Sequence, residues 1–97
     1  MDINSIRIAA LVNLGLHLKN YSNNDSKYSK LDKCIEKSII SNKWFTKNNV
    51  INALKNWAET LELKKVEKWL SPYQIIENKP RVIGLILAGN IPMVGFH

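Results

Sequence analysis

The feature that most constrains this chain is a nearly unbroken apolar run, VIGLIL at residues 82–87, which follows Pro80 and precedes Gly89. An alternating pattern would indicate a strand with one exposed face. A continuous run rich in branched side chains is instead typical of a strand covered on both faces, as in a parallel sheet flanked by helices. The run therefore predicts a buried strand over residues 82–87.

Upstream of about residue 70 the apolar residues recur three and four positions apart, which predicts four amphipathic helices. Thr46 is expected to cap the third helix while Phe45 packs on Val50, and Ser71 with Pro72 ends the fourth. The predicted inner faces, helix by helix, are Ile3, Ile6, Ala10, Leu14, Leu18 and Tyr21; Leu31, Cys34, Ile35, Ser38 and Ile39; Val50, Ile51, Leu54, Trp57, Ala58 and Leu61; and Leu63, Val66, Trp69 and Leu70.

The predicted fold class is α/β, with about four helices leading into the first strand of a parallel-sheet nucleotide-binding domain. Residues 1–72 are expected to form the helical N-terminal region, and residues 73–97 to begin the α/β domain. A parallel strand needs a neighbour reached through a crossover of about a dozen or more residues, and the sequence offers no convincing partner. We therefore expect the sheet to continue in further sequence, which would make this chain the N-terminal piece of a larger protein.

The basic charge of the chain is an ambiguous signal. A formal net charge of +6 and a pI near 9.6 invite a nucleic-acid interpretation. Of the 14 lysines and arginines, however, only Arg7 and Arg81 carry the guanidinium that reads guanine and clamps phosphate, and the lysines are spread along the chain. We expect no nucleic-acid partner. The alternative is a small basic helical interaction module that binds an acidic protein or nucleic acid.

Several features favour a soluble cytoplasmic protein without a metal. The lone Cys34 cannot form a disulfide within the chain and suits a reducing compartment. No stretch approaches the roughly 20 apolar residues of a membrane span, and the N-terminus lacks the pattern of a signal peptide. His17 has no second ligand at metal-binding spacing, so we predict a structural role for it and no metal site.

The turn at residues 89–92, GNIP, follows the predicted strand at the position where open parallel sheets bind ligands. Gly89 removes a side chain where a cofactor could approach, and Asn90 offers an amide donor. The other interpretation is that Asn90 only caps a helix beginning near Pro92. Neither the dinucleotide-binding glycine fingerprint nor the P-loop pattern is present.

Residues 81–97, RVIGLILAGNIPMVGFH, resemble the nucleotide-turn motif of bacterial acyl-CoA reductases, the family that includes the fatty acid reductase supplying aldehyde to bacterial luciferase. These reductases belong to the aldehyde dehydrogenase superfamily, whose corresponding strand ends in Pro-Trp-Asn. Here Ala88 and Gly89 stand in place of the proline and tryptophan, while Asn90 matches the asparagine of that motif. The preceding helical region of the family is similar to a block formed here by Asn42, Lys43, Trp44, Phe45, Thr46, Asn49, Val50, Ala53, Leu54, Trp57, Ala58, Trp69 and Leu70.

The resemblance implies an enzyme that reduces a long-chain acyl thioester to a fatty aldehyde with NADPH, through a cysteine acyl-enzyme. Asn90 would be a catalytic donor to the thioester oxygen, and Leu87, Ala88 and Gly89 would line the ribose and nicotinamide of the cofactor. The nucleophile would lie downstream of this chain, so the chain alone is expected to be inactive. Cys34 lies on the apolar face of the second predicted helix and has no adjacent basic partner to activate its thiol, so it is assigned to packing. The implied partners are acyl-CoA or an acyl carrier, with a homo-oligomer or a complex with acyl-activating subunits.

Overall fold

The computed structural model describes residues 3–21, 24–76 and 79–89. These residues form four α-helices: α1 (Ile3–Lys19), α2 (Ser29–Ser41), α3 (Lys47–Thr60) and α4 (Leu63–Leu70). A short 3-10 helix (Ser26–Tyr28) leads into α2. The described part of the chain contains no strand. The four helices predicted from the apolar spacing are therefore present.

The start of α3 follows from its capping residues. The Thr46 side chain accepts a hydrogen bond from the Asn49 backbone N–H at 3.1 Å, which satisfies one of the orphan donors at the helix start. Phe45, just before the cap, is partly buried against the cluster that contains Val50. The predicted cap of α3 is thus confirmed.

The core lies around α3, which packs against both α1 and α2, while α4 packs on α1. Its most buried members come from the three longer helices, and larger side chains surround them. The buried set is Leu18, Ile35, Val50, Leu54 and Ala58, with Leu14, Tyr21, Leu31, Ile39, Phe45 and Trp57 packed around it.

Only the second half of the predicted face of α1 reaches the core: Leu14, Leu18 and Tyr21 lie there as predicted, whereas the first half does not. Ile6 and Ala10 are exposed, whereas Ile8 and Leu11 are half-buried and Gly15 is buried. The apolar residues of α1 are spread around most of the helix circumference, so the sequence periodicity did not single out one face. Packing against α3 and α4 selects the stripe that continues through Leu18.

Three predicted inward-facing residues also differ from expectation, among them Leu63, which is 48% exposed. Cys34 is exposed, because the side of α2 that reaches the core carries Leu31, Ile35 and Ile39, each four residues apart. Trp69 is 48% exposed, because Val66 is the buried residue of α4. The assignment of Cys34 to packing is therefore wrong.

The α/β prediction is wrong for the described residues, whose regular elements are all helices. Residues 82–87 form no strand, and their large apolar side chains are exposed. Two side-chain bonds tie the chain after α4 to the helices: Asn4 Nδ2 donates to the Ile75 carbonyl at 3.2 Å and Asn42 Nδ2 donates to the Gly89 carbonyl at 2.5 Å. A strand needs a hydrogen-bonding neighbour, and none of the described segments supplies one.

Candidate functional site

The predicted cofactor turn lies open on the surface. Leu87 is half-exposed, Ala88 and Gly89 are exposed, and a methyl group added at Gly89 would meet no atom within 4 Å. Asn90, the predicted catalytic donor, lies outside the described residues. Leu87, Ala88 and Gly89 therefore do not enclose a ribose or nicotinamide by themselves.

Asn42 holds the end of the apolar run against the connection between α2 and α3. Its side-chain oxygen accepts the Trp44 backbone N–H at 3.0 Å, while its side-chain nitrogen donates to the Gly89 carbonyl. One amide thus fixes a tight turn and positions the predicted site segment. Sequence reasoning did not assign this role, since residues 42 and 89 are joined only by folding.

A second candidate site is an apolar cleft of about 560 Å³ between α1, α3 and α4. Its walls carry aliphatic and indole side chains contributed by all three helices. Thr60 and Lys65 add the polar groups at the corner where α3 meets α4. The apolar lining residues are Leu11, Trp57, Leu61, Val66 and Trp69.

A third candidate is a basic cleft of about 610 Å³ between the start of α1 and the segment after α4. Both arginines of the chain, Arg7 and Arg81, line it together with Lys79, and Ile3 and Ile83 form its apolar part. Guanidinium groups suit the bidentate binding of an anion such as a carboxylate or phosphate. Sequence reasoning treated the arginines as isolated because 74 positions separate them.

The contact between the end of α1 and α2 contains Tyr21, whose pKa is strongly raised. The Tyr21 hydroxyl donates to the Asp32 carboxylate, and its ring meets Tyr28 edge-on at 5.7 Å between centroids. Burial, followed by the hydrogen bond to Asp32, raises the pKa of Tyr21 from 10.0 to about 12. This phenol is therefore a stable donor at neutral pH and has no character of a general base.

Within residues 3–21, 24–76 and 79–89, no three histidine, cysteine, aspartate or glutamate side chains lie close enough together to hold a metal ion. Among the helices in those ranges, none has the length and apolar character needed to cross a membrane.

Comparisons with known proteins found no match to this chain among protein-family models, curated proteins or solved structures.

Proposed function

We propose that this chain is the helical region and active-site turn of an NADPH-dependent acyl-CoA reductase, which converts a long-chain acyl thioester to a fatty aldehyde through a cysteine acyl-enzyme. The proposal is supported by the resemblance of residues 81–97 to the nucleotide-turn motif of that family. The enzyme would act in the cytoplasm on acyl-CoA or an acyl carrier, as a homo-oligomer or with acyl-activating subunits.

The resemblance carries the proposal, and the exposure of the apolar run that precedes Asn90 in the sequence is the structural observation that agrees with it. Val82 and Ile86 are fully exposed, and Ile83 and Leu85 are about three-quarters exposed. Uncovered apolar area of this extent is unfavourable in water and marks a surface that other protein is meant to cover. In the proposed enzyme, polypeptide other than the described helices covers this run.

The role proposed for Asn90 is electrostatic. Its side-chain amide would donate to the oxygen on which negative charge develops when the thioester is attacked. NADPH would supply the hydride when bound, but the open surface at Leu87, Ala88 and Gly89 gives no geometry for that step. Cys34 is exposed on α2 and takes no part in the proposed chemistry.

The test is acyl-CoA-dependent oxidation of NADPH by the complete product of the gene. Asn90→Ala should slow turnover by about a hundredfold, because loss of one oxyanion donor costs about 3 kcal/mol. Asn56→Ala, an exposed asparagine of α3, is the matched control and should leave the rate unchanged. The 97-residue chain alone should be inactive, since its one cysteine is Cys34, which is exposed on α2 and precedes the turn.

Two results would contradict the proposal. An unchanged rate in Asn90→Ala would mean that Asn90 does not stabilise the oxyanion, and would leave it only the role of a helix cap. A reading frame that closes directly after His97, or a full-length product without acyl-CoA-dependent NADPH oxidation, would reject the reductase itself.

The second candidate function is a basic interaction module, and the cleft that joins Arg7, Lys79 and Arg81 favours it. Such a module would bind an acidic protein or nucleic acid with an affinity that falls steeply as salt increases. Binding of a polyanion that is lost in Arg7→Gln and Arg81→Gln but kept in Lys64→Gln would support this function. Equal loss in all three variants would indicate only a response to net charge.

A further inference from the structure

We propose that the basic cleft between the start of α1 and the segment after α4 binds an acidic segment of another protein, one in which glutamate or aspartate stands next to aliphatic residues. The inference rests on the basic interaction module given above as the second candidate function, and it selects one of the two partners of that module. It does not depend on the reductase.

The cations of the cleft are available to a ligand. Arg7, Lys79 and Arg81 line it, and none of its described lining residues is acidic. Neither a hydrogen bond nor an ion pair joins these three side chains to another residue of the described ranges. Three like charges that share one cleft repel one another, so a bound anion forms ion pairs with them and also relieves that repulsion.

One hydrogen bond ties the two walls of the cleft together. The Nδ2 atom of Asn4, in the first turn of α1, donates to the Ile75 carbonyl at 3.2 Å. Ile3 and Arg7 are four residues apart and therefore share one face of α1. The fold thus holds that face beside the segment that carries Arg81.

The apolar part of the cleft distinguishes a protein partner from a nucleic acid. Sites for single-stranded nucleic acid use aromatic side chains on which the bases stack, and none of the described lining residues is aromatic. Aliphatic side chains of a partner would instead remove the apolar lining from water, which is favourable. The apolar lining residues are Ile3, Ile76, Pro80 and Ile83.

The backbone of the cleft favours a peptide over a small anion. Residues 79–83 belong to no helix or strand and make no backbone–backbone hydrogen bond with a described residue. An extended peptide can pair with such a backbone while its side chains contact the cleft. A free phosphate or carboxylate ion would use the cationic groups alone.

The first experiment compares three fluorescein-labelled probes of equal negative charge on the unmodified chain. One is a short peptide in which pairs of glutamates alternate with pairs of isoleucines, so that each face of the extended peptide carries both residue types. The second has serine in place of isoleucine, and the third is oligothymidine. Fluorescence anisotropy at physiological salt should show the isoleucine peptide binding about fivefold or more tightly than the other two.

The second experiment uses matched variants of the chain. Arg7→Gln and Arg81→Gln should each weaken binding of the isoleucine peptide about twofold to fivefold, whereas Lys64→Gln, exposed on α4 and outside the lining, should not. Ile83→Ser should reduce the advantage of the isoleucine peptide over the serine peptide. Ile40→Ser is its control, because Ile40 is 80% exposed, Ile83 is 76% exposed, and only Ile83 lines the cleft. Circular dichroism checks that each variant is folded.

The outcomes separate this inference from the functions proposed above. Equal binding of the two peptides, or tighter binding of oligothymidine, overturns the inference but leaves the basic module standing where binding still depends on Arg7 and Arg81. Equal weakening in these two variants and Lys64→Gln, or no binding of any probe, overturns both. No readout uses NADPH or turnover, so the test of Asn90 is independent.

Discussion

At the scale of single residues, Gly15 sets how closely α1 approaches the corner between α3 and α4. A Cβ atom at this position would lie 2.8 Å from the Leu61 Cβ and 3.1 Å from the Leu61 carbonyl oxygen. Both neighbours belong to the backbone or its first side-chain atom, so neither can move away alone. The helices can pack at this distance only because residue 15 has no side chain.

We expect Gly15→Ala to lower the free energy of unfolding by about 1–2 kcal/mol. Overpacking costs about 1–3 kcal/mol, and the better helix propensity of alanine returns up to about 1 kcal/mol of it. Urea denaturation measures the change. Gly89→Ala is the control, because open space surrounds Gly89, and it should stay within about 0.5 kcal/mol. Equal stability of both variants would mean that α1 moves away without loss.

At the scale of elements, the N-terminus of α3 depends on one side chain. Thr46→Ala removes the acceptor of the Asn49 N–H and should cost about 1 kcal/mol, and at most about 2. Thr60→Ala is the control: its hydroxyl donates to the Asn56 carbonyl, which lies inside the same helix and within its hydrogen-bonding pattern. Thermal unfolding should distinguish the two, and a larger loss in Thr60→Ala would contradict the cap.

The contact between the end of α1 and α2 should be sensitive to high pH. The pKa of Tyr21 is raised to about 12 in the folded chain, above its ordinary value of 10.0. As pH rises, the unfolded chain therefore loses the Tyr21 proton before the folded chain does. The contribution of the protonated Tyr21 hydroxyl to stability is complete below pH 10 and is lost between pH 10 and about 12.

Tyr21→Phe provides the measurement. The variant should be less stable than the unmodified chain by about 1 kcal/mol at neutral pH, because the bond to Asp32 is gone. This difference should shrink as pH rises through the interval given above. Tyr73→Phe, an exposed phenol, should show no such change. A constant difference for Tyr21→Phe across the interval would contradict the assigned pKa.

At the scale of the whole molecule, stability should reside in the helices and not in residues 82–87. Ile35 is 3% exposed inside the core, and Ile86 is 101% exposed. Ile35→Ala should therefore cost about 2–5 kcal/mol in urea denaturation, whereas Ile86→Ala should cost less than about 0.5 kcal/mol. A large loss for Ile86→Ala would show that other protein covers the run, for example in an oligomer whose stability varies with concentration.

The sequence by itself determined the local elements of this protein. Apolar residues three and four apart place α2, α3 and α4 correctly, and Thr46 marks the start of α3, because helix formation and capping depend on neighbours within a few residues. The sequence also supplied the motif around Asn90, on which the proposed function depends. These signals depend on residues close together in the sequence, so they can be recognised without knowledge of the fold.

Only the tertiary structure decided which faces and distant residues meet. Apolar residues lie on every side of α1, so packing rather than periodicity brought Gly15 to the interior. Arg7 with Arg81, and Leu11 with Trp69, reach their clefts through folding over long separations. The run at residues 82–87 was predicted to be a strand because its side chains are apolar. Apolar side chains favour burial, but a strand also requires a hydrogen-bonding neighbour, which the described helices do not provide.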